Sequence, residues 1–129
     1  MPNKVLSTGV LIRDPATFNA VVTVVNTGAI AVQTAQVDIF DWGIQQGWCK
    51  PTPVGVAGST AVKIGAHCQQ DFNALITQST AQPGATLSLY EVRITLPAKS
   101  KLIVNCFALD NHNNLVAANT VLHAQLVAI

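Results

Sequence analysis

Apolar and polar residues alternate with a period of two along much of this chain, the spacing of half-buried β-strands. The clearest run is Ala31–Trp42, where Ala35, Val37 and Ile39 share one side while Gln36 and Asp38 share the other. In Phe18–Asn26, the positions Phe18, Ala20, Val22 and Val24 make one face, and the opposite face is partly apolar too. The connector Asn26-Thr27-Gly28 has the chemistry of a tight turn, so these two runs are expected to form a hairpin. Shorter strands are expected at Gly9–Arg13, stopped by Asp14-Pro15, at Thr60–Ile64 and at Cys68–Ile76. Three longer runs, Leu87–Pro97, Lys101–Asp110 and Leu115–Ile129, are divided by Pro97–Ser100 and Asn111–Asn114. Such spacing predicts a meander of consecutive antiparallel strands, which needs an opposing sheet from the first half of the chain. Between Leu87 and Tyr90 the apolar phase slips by one residue, which predicts a β-bulge. Pro83-Gly84 suits the centre of a type II turn.

About eight strands with frequent turn signals, and no helical period, describe an all-β, two-sheet antiparallel sandwich. A jelly-roll is favoured over an immunoglobulin-like arrangement because the Cys…Trp…Cys order of the latter is missing. Residues 1–8 carry no strong pattern and are expected to be a flexible arm, leaving 9–129 as a single domain.

Charge changes this picture in one respect. Only 10% of the 129 residues are charged and the net charge is +1, against about a quarter charged in ordinary domains. Copies of such a chain repel one another weakly, which favours self-association. The same balance supplies no footprint for nucleic acid. No run of 18 or more apolar residues is present, so membrane insertion by a helix is not expected. The first nine residues lack the apolar core of a cleavable signal peptide.

Chemistry is sparse. His67, His112 and His123 fall in no metal-binding pattern, and a site combining His67 with Cys49 and Cys68 has no spacing to support it. Asp14, Asp41 and Asp110 stand at turns, where Asp braces local backbone. Glu91 and Arg93, two apart on one strand, share a face as an ion pair. Nucleophile elbow, phosphate loop and dinucleotide fingerprint are all missing, so no catalytic residue, metal or cofactor is assigned and an enzyme is not expected. Cys106, inside an apolar run, is read as a small core residue. Cys49 and Cys68, near strand ends, are the candidates for a disulfide, within one chain or between two. The irregular stretch 42–58 carries Trp42 and Trp48, either a plug for the end of the sandwich or a ligand loop of an adhesion or carbohydrate-binding module. The arm residues Asn3, Lys4, Val5, Leu6 and Ser7 could add as a strand to an exposed edge of a neighbouring copy, a head-to-tail contact that grows into a fibre.

The segments Val25–Gly28, Val37–Trp42, Tyr90–Pro97 and Ile103–Asn111 resemble the pattern of endospore appendage subunits, the pilus-like fibres on spores of Bacillus-group bacteria. The resemblance extends over residues 9–129. It implies a jelly-roll whose N-terminal connector completes the sheet of the next subunit, in a homopolymer at the spore surface that other spore-surface proteins could join. In that family the connector carries cysteines that staple subunits together. Residues 1–8 contain none here, so subunits would join without a connector disulfide or would use Cys49 or Cys68 elsewhere. Assembly inside the mother cell would account for an extracellular product without a signal peptide.

Overall fold

Along Asn19–Asn26 every second residue is buried, and along Gln33–Asp41 the alternation holds from Ala35 onward. The period of two thus becomes a period of burial. The computed structural model describes residues 3–28, 33–43, 52–53, 62–79 and 84–129. Its strands are β1 (Asn3–Ser7), β2 (Leu11–Ile12), β3 (Asn19–Asn26), β4 (Gln33–Asp41), β5 (Thr52–Pro53), β6 (Val62–Ile64), β7 (Gln69–Leu75), β8 (Leu89–Pro97), β9 (Leu102–Leu109) and β10 (Val127–Ala128). Sheet 1 runs β10-β1-β8-β4-β5, with β2 also on β8 and β6 also on β4, whereas sheet 2 runs β7-β3-β9. Each pairing is antiparallel. The chain is a two-sheet antiparallel sandwich, as the patterning predicts.

The core lies between the sheets. Val22, Val24, Val104 and Ala108 enter it from sheet 2, and Val37, Ile39, Tyr90, Val92, Ile94 and Leu96 from sheet 1. Each large side chain so buried stabilises the fold by about 1.5–3 kcal/mol. Cys106 belongs to the same cluster, and burial pushes its thiol up to about 12.

Strand partners differ from the expectation. β3 and β4 form no hairpin: β3 lies in sheet 2 between β7 and β9, and β4 lies in sheet 1 beside β8. The connector at Asn26–Gly28 crosses between sheets, held by the Asn26 Oδ1 atom, which accepts the Gly28 N–H at 2.9 Å. Likewise β8 and β9 are consecutive yet belong to opposite sheets, so the predicted meander is absent. Both pairs cross because each strand has one strongly apolar face, and consecutive strands can bury those faces against each other across the core.

The N-terminal residues are no loose arm. Asn3–Ser7 pair along their full length with β8, and Leu6 and Ser7 also face β10. Leu6 packs on the core and Ser7 is buried. Only one large apolar residue of this strand, Leu6, points inward, too weak a signal for a periodicity argument.

The bulge lies on the partner of the predicted strand. Ser7 faces Arg93 and Leu11 faces Tyr90, so one side has an extra residue between these pairs. Gly9, at φ 71°, takes the backbone through that step. Leu87 falls out of phase because its N–H bonds Thr77, before β8 begins.

The third run of the second half is not a long strand. Residues 117–119 and 123–125 are 3-10 turns, Leu115 and Val121 make single bridges to β9, and Val127–Ala128 is the one stretch that forms a strand, β10.

Candidate functional site

On the outer face of sheet 1, Glu91 is only 4% exposed although its side chain points away from the core. Three donors enclose it. Ser7 donates its hydroxyl to Oε2, Trp42 donates its indole N–H to Oε1 at 2.9 Å, and the Arg93 Nε–H reaches Oε2 at 3.0 Å. The Arg93 guanidinium also sits 4.8 Å above the centroid of the Phe40 ring, a cation–π contact. Cross-strand register brings these residues together: Ser7 and Asp38 flank Arg93, and Phe40 flanks Glu91.

Burial raises the Glu91 pKa, but hydrogen bonds from Arg93, Ser7 and Trp42, together with the Arg93 charge, outweigh it and hold the carboxyl below its ordinary value. A carboxylate so enclosed is a poor general base. Ser7 in turn accepts the Gly9 N–H at 2.9 Å, so its hydroxyl is committed at both ends. The cluster therefore locks the N-terminal strand, the bulge behind it, β8 and the end of β4 into one unit. The expected Glu91–Arg93 pair is present at its centre.

Of the predicted strand-donor residues, Asn3 is exposed, Lys4, Val5 and Leu6 are half-buried, and Ser7 is buried in this cluster. Trp42 extends β4, its backbone N–H bonding Leu89 at 2.9 Å, and its indole is spent on Glu91. Trp48 and Cys49 lie outside the described residues. Cys68 is exposed, its thiol 3.4 Å from the Ala66 carbonyl. Among the described residues no three His, Cys, Asp or Glu side chains gather in a group that could hold a metal. No helix there is long and apolar enough to cross a membrane.

The turn carboxylates behave as their positions suggest. Asp14 accepts from Ala16 N–H, Asp41 from Gly43 N–H, and Asp110 from the N–H groups of His112 and Asn114. The bond from Asn114, with that from His112, holds the Asp110 carboxyl below its ordinary value.

A second polar cluster was invisible in the sequence. The buried Asn119 side chain accepts from the Asp14 N–H at 2.6 Å and the Thr17 hydroxyl at 2.8 Å, and donates to the Ile12 carbonyl at 2.8 Å. Next to it, the C-terminal segment runs along the outer edge of β9. Cys106 and Val121 exchange backbone bonds of 2.8 Å, the Ala108 N–H reaches the Thr120 hydroxyl, and the Val104 N–H donates to His123 Nδ1 at 2.9 Å. His123, expected to be an ordinary strand residue, is thus a backbone acceptor in a 3-10 turn. Composition held no signal for either role, since each depends on residues more than a dozen positions away.

A cleft of about 580 Å³ opens beside β2, with Ile12, Pro15, Phe18 and Leu87 as its apolar lining and Arg13 and Ser88 among its polar groups. None of the residues singled out from the sequence as a donor strand, disulfide or ligand loop lines it. Neither a family model, nor a curated protein, nor a solved structure matches this chain.

Proposed function

We propose that this chain is a structural, non-enzymatic subunit that assembles with copies of itself by placing its N-terminal strand in the sheet of a neighbour, as in a spore-surface fibre. The observation that supports this is the position of β1. It is the first of the described strands, seated in a slot between β8 and β10, followed at once by the bulged step at Thr8–Val10 and then by β2 on the same partner strand. If that step extends, β1 can leave its own slot for the identical slot of another copy. Each lost intramolecular contact is then remade between molecules, including the Ser7–Glu91 bond, so exchange costs little beyond association. Because donor and acceptor surfaces differ, the contact is head-to-tail and open-ended.

The rival reading, an extracellular adhesion or carbohydrate-binding module using Trp42 and Trp48, has less support, since the Trp42 indole N–H is already held by Glu91. Light scattering and negative-stain electron microscopy test the proposal. The full chain should give a ladder of masses or fibres that persist in reductant, because residues 1–8 hold no cysteine. The chain lacking residues 1–8 should stop at the unit mass and bind a synthetic peptide of residues 1–10. A single fixed mass for the full chain would sink the reading, and fibres lost on reduction would move the link to Cys49 or Cys68.

A further inference from the structure

Sheet 2 has two edges, and among the described residues one is bare. The Ile76 N–H bonds Phe18 at 2.8 Å and the Asn26 N–H bonds the Cys68 carbonyl at 2.9 Å, so the even-numbered residues of β7 turn their backbone groups toward β3. Gln69, Asp71, Asn73 and Leu75 turn theirs the other way. Along that side the Asp71 carbonyl accepts the Gln70 side-chain amide at 3.1 Å, and among the described residues no acceptor reaches the four N–H groups. The bare edge ends where the Leu87 N–H bonds the Thr77 carbonyl. An uncovered edge of this kind is a template for another strand.

We infer that this edge is an interface for a second copy of the same chain, β7 pairing antiparallel with the partner's β7 about a two-fold axis through Phe72. The choice of occupant comes from register. Centred on Phe72, all four outward residues find partners: Gln69 faces the partner's Leu75, Asp71 faces the partner's Asn73, and the same pairs repeat by symmetry. Each Asp71 carboxylate then meets an amide donor. A shift that centres the axis on Asp71 sets two carboxylates against each other, which is unfavourable. Electrostatics leaves the approach open, because Asp71 is the only charged residue among the outward-facing positions of β3, β7 and β9. Leu75, 61% exposed in the single chain, gains cover. The result is one continuous six-stranded sheet across two sandwiches, closed by symmetry and independent of β1.

Hydrogen exchange of the full chain as a function of concentration tests this at the residues concerned. The Asp71 and Asn73 amides should slow by about ten-fold or more as the chain is concentrated, since pairing covers them. Asn73→Asp places carboxylates opposite carboxylates and should raise the half-protecting concentration by about five-fold, whereas Asn73→Lys should lower it by a similar factor. Asn73→Pro, which removes an outward N–H and leaves the bonds to β3 intact, should abolish the protection. Unchanged exchange at every concentration would overturn the inference, as would Asp and Lys shifting it in the same direction. Polymers joined by β1 alone would leave these amides unprotected, so the two readings fail separately.

Discussion

The two edges of sheet 2 are finished in opposite ways. At β9 the outward N–H groups of Val104, Cys106 and Ala108 are met in turn by a histidine ring nitrogen, a carbonyl and a threonine hydroxyl of the C-terminal segment. At β7 the equivalent groups of Gln69, Asp71, Asn73 and Leu75 meet no hydrogen-bond acceptor among the described residues, and all four residues are exposed, Asp71 and its amide neighbours among them. A protein that wanted no association would cover both edges or charge both. Covering one and leaving the other polar but weakly charged separates a strand that must not pair from one that is free to.

Substitutions along these edges can break the comparison. The largest effect is expected at Asn119, whose amide anchors the C-terminal segment to the loop before β3. Asn119→Ala removes three hydrogen bonds at a buried position and should cost about 3 kcal/mol in denaturant unfolding. Across the sandwich, Glu91→Ala should cost about 2 kcal/mol, because it strips the acceptor from Ser7, Trp42 and Arg93.

The same carboxylate sets a pH dependence. Its folded pKa is lowered, so its stabilisation is fully present above the ordinary glutamate pKa and is lost as pH falls through the lower folded value. Unfolding midpoints of wild type and Glu91→Ala should therefore converge in acid.

A smaller loss, about 1 kcal/mol, is expected for His123→Ala, which leaves the Val104 N–H without an acceptor. His123→Asn places an oxygen near the position of Nδ1 and should restore the slow exchange of the Val104 amide. At the bare edge, Asp71→Ser should move stability by less than about 0.5 kcal/mol, since the side chain is exposed. A loss there as large as at His123 would mean that β7 is covered after all.

What the sequence determined by itself is local. The alternation in β3, β4, β8 and β9 placed strands within two residues of where they lie, because side chains on a strand must alternate between core and water. The turns at Asp14 and Asp110 followed from side chains that bond their own backbone a few residues on, whereas the hairpin expected at Asn26–Gly28 did not form. The pairing of Glu91 with Arg93 followed from spacing alone. Partner choice was left to the tertiary structure. Whether β3 turns back on β4 or crosses to the other sheet depends on which arrangement closes the whole core, and no short window carries that information. The strand Asn3–Ser7 looked uncommitted because its main anchors, the β8 backbone and Glu91, lie more than eighty residues away. Residues Leu115–Ile129 have the composition of a strand, yet most of them serve as a clasp. Their conformation is fixed by the unpaired N–H groups of β9 that they meet, a demand that exists only once sheet 2 has formed.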